Sequence, residues 1–321
     1  MMMWGEETAC IFFPRGLSTG GSQIRLLPQT AGVLSKYPES HIERALAYFP
    51  ELRKLCGDVC GIYPQSGLTN RVFRLITTTG DFILRLPRPE TAPLINRFDE
   101  AHNHEAAASL EIAVPPVFTA PKIGLQLTRT LDHAPLDAPD LAACLGETLA
   151  RLHGKGPSFK GTIDPKLILA GHADEFQGRP DLLRRLAPVQ EVLEKTGVLE
   201  SRSGDFVSCH GDLSPGNLLY SEGRLVLIDW EYSGQSEPAW DLAYATLENG
   251  FNPETETTFL EAYCGGQPGN ALVDRYEAMK SVCDTVSAAW ALGQVAASRE
   301  PDRFSEFAQT RIDRALARLT G

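Results

Sequence analysis

SCHGDLSPGNLLYSEGRLVLIDWEYSGQSEPAWD, residues Ser208 to Asp241 of a 321-residue chain, decides the reading of both fold and chemistry. The apolar Phe206-Val207 leads into a loop holding His210, Asp212, Pro215, Gly216 and Asn217, so a carboxylate and a carboxamide stand five positions apart. Leu218-Leu219-Tyr220 and Arg224 to Ile228 read as strands joined by Ser221-Glu222-Gly223, a short hairpin that brings Asn217 beside Asp229. Moving a γ-phosphoryl group from ATP needs a carboxylate to hold the attacking hydroxyl and accept its proton, and oxygen ligands for Mg2+ near the phosphates. Asp212 suits the first task, Asn217 and Asp229 the second. The alternative is that all three cap turns and satisfy loop amides, as Asp and Asn often do.

The spacing H-x-D-x-x-x-x-N followed by an Ile-Asp strand end is the small-molecule counterpart of the protein-kinase catalytic loop and metal-binding Asp. HGDLSPGN, LIDWEYSG and PAWDLA together resemble the choline/ethanolamine kinase branch of the aminoglycoside phosphotransferase superfamily over roughly residues 40–320. The resemblance implies Asp212 as catalytic base, Asn217 and Asp229 as metal ligands, His210 as a buried brace of the loop, and Asp241 as the acid that holds the loop backbone from a helix start.

Composition bounds the rest. Hydrophobic content of 43% and charged content of 22% describe an ordinary globular chain with a sizeable core. A net charge of -11 argues against a nucleic-acid binder and fits a cationic small substrate. Seven cysteines without framework spacing read as reduced thiols of a cytoplasmic enzyme, and no apolar run is long enough to insert in a membrane. Residues 1–36 are expected to be a disordered extension without function, as from an upstream start codon.

From residue 37 to about 132 the pattern predicts a β-rich N-lobe. A helix is expected from Ser40 to Arg53 on capping-box form, then strands Val59 to Tyr63, Asn70 to Thr77 and Phe82 to Leu86, with Thr79-Gly80-Asp81 as a hairpin turn. The loop Gln65 to Asn70 resembles the family's GGLSN-type nucleotide loop, which makes Ser66 and Asn70 nucleotide-binding candidates. Arg85 stands where a kinase carries its phosphate-contacting lysine, and the LRL context resembles the arginine used in this branch; the alternative is a solvated strand residue. A helix from about Asn96 to Leu110 supplies Glu105 as the acid expected to align Arg85, with His102 and His104 read as surface residues. Leu125 to Leu131 is the last strand, and its end, with Arg129 and Leu131, resembles the hinge segment whose backbone meets adenine.

Residues 133–321 read as a mainly helical C-lobe. Leu141, Cys144, Leu145, Thr148, Leu149 and Leu152 form a core-facing stripe that His153-Gly154 is expected to end. Further helix is expected around Leu182 to Leu193, restarted at Pro188, with Arg184 and Arg185 solvated. The last helices are expected near 271–297 and 302–319. By alignment from the shared Asp-Leu start, Glu248 matches the glutamate that faces the family's substrate ammonium, or is an ordinary surface acid. Trp290 resembles one wall of the family's aromatic cage, or packs the core; the second cage Trp of the eukaryotic enzymes is Gly293 here. The expectation is therefore an α+β, bilobal protein-kinase-like fold that phosphorylates the hydroxyl of choline or ethanolamine with MgATP. Thiamine or an aminoglycoside is the alternative acceptor, and a nucleotide-binding pseudokinase the non-enzyme reading.

Overall fold

The computed structural model describes residues 38–65, 67, 69–88, 95–155, 157–176, 178–200 and 206–321. Residues 1–36 and Ser66, about which the sequence carried expectations, lie outside the described residues. The described residues divide into two compact units, one made of 95–114 and 132–321, the other of 38–88 and 115–131.

The second of these units is a sheet with two helices. Helices α1 (Pro38–Tyr48) and α2 (Pro50–Cys56) replace the single helix expected from Ser40 to Arg53, because Pro50 opens a new helix at N1, where its missing N–H costs nothing. Strands β1 (Val59–Gln65), β2 (Asn70–Thr77), β3 (Gly80–Pro87), β4 (Pro116–Ala120) and β5 (Leu125–Arg129) form one antiparallel sheet in the order β1-β2-β3-β5-β4. Thr77 pairs with Gly80, so the β2–β3 turn is Thr78-Thr79, one position earlier than expected. Alternation along the strands puts Phe73, Leu75, Phe82, Leu84, Leu125 and Leu127 in one buried cluster with Ile42, Leu52 and Cys56 from the helices. The next position, Arg85, points to the opposite face and is nonetheless buried.

In the larger unit, α3 (Arg97–Ser109) is joined by α4 (Ala138–Lys155), α5 (Pro165–Glu175), α6 (Pro180–Thr196), α7 (Pro238–Glu248), α8 (Pro253–Cys264), α9 (Asn270–Ala296) and α10 (Pro301–Thr320). Strand β6 (Val207–Cys209) pairs with β9 (Gly234–Ser236), and β7 (Leu218–Ser221) with β8 (Arg224–Leu227). Helix α9 is buried on all sides from Met279 to Leu292 and packs against α5, α6, α7 and α10, and its charged positions Lys280 and Asp284 are paired with Glu256 and Arg311 of the chain. α5 and α8, not anticipated, begin at Asp164-Pro165 and Asn252-Pro253, where the Asx side chain accepts the first free amides. Pro188 does not restart α6; it sits inside that helix on the exposed face, where the carbonyl it leaves unbonded can meet water. Arg185 is not simply solvated, since it bonds Ser305 and Gln309 on α10.

Two expectations for α3 are corrected. At 100° per residue the inward positions are Arg97, Glu100, Asn103, His104 and Ala107, which leaves Glu105 exposed and makes Glu100 the buried acid of this helix. His104 is buried, not a surface residue, because its Nε2 meets the Val114 carbonyl at 2.7 Å. After α3 the chain docks on the hairpin through Leu227 N–H, which donates to Ile112 O at 2.8 Å.

Candidate active site

The loop that follows β6 is held in one conformation by its neighbours. Gly211 has φ of 87°, and a Cβ there would lie 2.4 Å from the Tyr232 carbonyl, so only glycine fits. His210, fully buried, uses Nε2 on the Ile228 carbonyl at 3.0 Å and accepts the Asp212 amide on Nδ1 at 3.2 Å. This pairing fixes one neutral tautomer. Burial pushes its pKa down to about 4, against the opposing influence of the Asp241 charge and the Ile228 carbonyl. A neutral ring with both nitrogens occupied braces the loop.

Asp241, in the first turn of α7, accepts the His210 amide at 2.7 Å on one oxygen and the Gly211 amide at 2.9 Å on the other. His153 Nε2 joins the first oxygen at 3.2 Å, while its Nδ1 meets Tyr263 OH at 3.0 Å. His153 stands in the last turn of α4, near the end expected at His153-Gly154, and ties that helix to α7 and α8. With Cys209 it forms a group of potential ligand atoms around Asp241. The loop amides already use the carboxylate, and burial and the Asp241 charge raise the Cys209 thiol, so this group is a brace.

Asp212 is 1% exposed. Its Oδ2 accepts Asn217 Nδ2 at 3.0 Å, and its Oδ1 accepts the Tyr244 hydroxyl at 3.1 Å. Asn217 closes the short 3-10 turn Pro215–Asn217, and its backbone carbonyl accepts the Ile228 amide at 3.1 Å. Ile228 is thus gripped through its amide by Asn217 and through its carbonyl by His210. The next residue, Asp229, turns away with φ of 65°, a left-handed conformation that Asp tolerates better than most residues. The β7–β8 turn, Glu222-Gly223, has φ of 51° and 81°, as a two-residue hairpin matching the strand twist requires.

Carboxylate oxygens of Glu100, Asp229 and Glu231 lie within 4.8 Å of one another. Arg97 Nη1 reaches Glu100 at 2.8 Å and Glu231 at 3.0 Å, offsetting part of that charge. Asn103 locks α3 to Ser233, just after Glu231, and to Lys160 in the stretch between α4 and α5. Around Asp229 the donors are oxygens only, and Asn217, whose Nδ2 is spent on Asp212, has its Oδ1 to offer. Such a set suits a hard divalent cation.

The expected substrate-facing residues are placed elsewhere. Glu248 is buried against Arg311 at 2.8 Å, and Arg311 continues to Asp284 at 3.0 Å, which Arg314 and Arg318 also reach. Burial pushes the Glu248 carboxyl up, opposed by the Arg311 charge and reinforced by Asp284. Asp284 is held below its usual range because those arginines outweigh its burial. The counter-ion of Glu248 is therefore an arginine of the chain. Trp290 is 1% exposed in the α9 core with Phe304 and Phe307 edge-on to it, so it is a core residue and not an open cage wall. In the sheet unit, Asn70 is buried with Nδ2 on Thr69 Oγ1 at 3.1 Å, and the Arg129 guanidinium lies over the Phe82 ring at 4.7 Å. Leu131 is half-buried.

Sequence reasoning missed Tyr244, Asn249, Glu100 and the Arg97–Glu231 pair. Helical phase could have found the first and third: Tyr244 lies three residues after Asp241 on one side of α7, and Glu100 three after Arg97 on α3.

The chain is similar to known small-molecule kinases. LicA of Haemophilus influenzae is 27% identical over 273 residues, spanning 79% of this chain and 78% of that one. A thiamine kinase of Escherichia coli is 29% identical over 192 residues, 58% of this chain and 65% of the enzyme. The crystal structure of a choline/ethanolamine kinase family protein from Mesorhizobium loti superposes with a TM-score of 0.69 at 27% identity, covering 88% of this chain and 95% of that one. The kinase-like α+β fold is common to such structures. The phosphotransferase enzyme family matches residues 63–280, more than half of the sequence, and the chain belongs to it.

Proposed function

We propose that this phosphotransferase moves the γ-phosphoryl group of ATP to the hydroxyl of a small amino alcohol, choline or ethanolamine before others. The observation that carries the reading is the Asp212 carboxylate, fixed by Asn217 on one oxygen and Tyr244 on the other, in a loop pinned through Ile228 to the strand that presents Asp229. Asp212 would orient the acceptor hydroxyl and take its proton. Asn217 and Asp229 would hold Mg2+, which when bound neutralises charge on the phosphates. Because the transition state is loose, positioning and charge neutralisation supply most of the acceleration. Asn70, Arg85, Arg129 and Leu131 are the nucleotide contacts of this reading.

The choice of acceptor rests on likeness to the choline/ethanolamine kinase family structure. It gains nothing from Glu248 or Trp290, which the chain itself engages. Thiamine is the second reading, supported by the similar thiamine kinases. Among the described residues no helix is long and apolar enough to cross a membrane.

ADP release with choline, ethanolamine, thiamine and an aminoglycoside tests the proposal. One acceptor should give turnover well above ATP hydrolysis alone. Asp212→Asn should reduce that turnover about 10²- to 10⁴-fold while MgATP still binds. Full turnover in the variant would sink the base assignment, and no turnover with any acceptor would favour a nucleotide-binding protein without catalysis.

A further inference from the structure

Helix α7 holds four consecutive loop residues. Asp241 takes the amides of His210 and Gly211, Tyr244 meets the Asp212 carboxylate, and Asn249 at the helix end donates to the Leu213 carbonyl at 2.9 Å. Three of these contacts are to backbone. Tyr244 alone among them meets the side chain to which the chemistry is assigned. Its ring is buried and stacked on Trp240 with an interplanar angle of 10° and centroids 6.5 Å apart, so the direction of its O–H is set by the helix.

From this geometry we infer that Tyr244 is a positioning residue for the phosphotransfer, fixing the plane of the Asp212 carboxylate. The inference rests on Asp212 being the base. With Asn217 on Oδ2 and Tyr244 on Oδ1, the carboxylate can neither rotate about its Cβ–Cγ bond nor swing to another rotamer without losing both bonds. A donor on each oxygen makes a carboxylate a weaker proton acceptor. That cost is small in phosphoryl transfer, where bond formation to the hydroxyl lags and aim matters more than basicity. The bland alternative is a core tyrosine whose hydroxyl uses Asp212 as a convenient acceptor.

Tyr244→Phe keeps the ring and removes only the hydroxyl. We expect kcat with choline, ethanolamine or thiamine, whichever the wild type turns over fastest, to fall about tenfold, with KM for MgATP within about twofold of wild type. The same change in an Asp212→Glu background, where the carboxylate is displaced by one methylene, should cost less than about twofold. A merely structural tyrosine would lower both backgrounds equally, and comparing the two cancels any shared folding loss. Unchanged kcat in Tyr244→Phe, or an equal loss in both backgrounds, overturns the positioning role and leaves the phosphotransfer reading intact. A wild-type chain inactive with all three alcohols overturns that reading and this inference with it.

Discussion

Glu248 and Arg311 face each other across 2.8 Å inside the helical unit, with side chains only 6% and 9% exposed. The pair belongs to a buried network in which Asp284 gathers Arg311, Arg314 and Arg318. An acid that reads from the sequence as a contact for a substrate cation is thereby an internal counter-ion, joining α7 to α10.

Glu248→Ala should therefore act on stability before it acts on catalysis. Removing one partner of a buried pair costs about 3–5 kcal/mol, and the lower end applies because Arg311 keeps Asp284. Urea unfolding at neutral pH measures this, and Glu248→Gln, which retains an acceptor oxygen, should lose less. A midpoint for the alanine variant equal to that of the wild type would show that the pair contributes nothing.

His210 gives the fold a pH dependence whose sign is fixed. Its folded pKa, about 4, lies below the ordinary 6.5, so protonation favours the unfolded chain. The stabilisation is complete above pH 6.5 and is lost as pH falls towards 4, an order of 3 kcal/mol in total. Unfolding free energies taken between pH 7 and pH 4 should show this slope, and His210→Asn, though less stable at pH 7, should show a shallower one. Parallel slopes for the two proteins would assign the effect to other groups.

Two glycines with similar backbone angles should respond differently to alanine. Gly211, with φ of 87°, would place its Cβ 2.4 Å from the Tyr232 carbonyl, whereas Gly223, with φ of 81°, would meet nothing within 4 Å. Gly223→Ala should cost about 1–2 kcal/mol, the penalty of a left-handed conformation alone. Gly211→Ala adds a clash with fixed backbone and should cost at least about 2 kcal/mol more. Thermal unfolding of both variants checks the order, and similar melting temperatures would contradict it.

The loop from His210 to Asp229 was legible because its chemistry is carried by neighbours in sequence: spacing fixes the hairpin, and the hairpin fixes what lies side by side. The strands Asn70–Thr77 and Gly80–Pro87 were legible for the same local reason, as alternating apolar residues around a turn. Glu105 misled because the choice between it and Glu100 depends on helical phase against a neighbour, which composition does not reveal. Glu248 and Trp290 misled because position along a helix says nothing of what covers it; Arg311 and Phe304 arrive from α10, more than ten positions beyond Trp290. The Tyr244 contact joins residues 32 apart and leaves no local pattern at all. The weakly apolar segments that became α5 and α8 were announced by an Asx-Pro pair, a start signal stronger than their periodicity.

The exposed tip of the β7–β8 hairpin has a practical use. Glu222 and Gly223 are exposed, yet the strands they join lead back to Asn217, just before β7, and to Asp229, two residues after β8. A fluorophore attached through Glu222→Cys would sit on solvent at the far end of a stiff two-stranded lever. It would report in real time whether that lever stirs when nucleotide is added, without a label touching the groups that do the work.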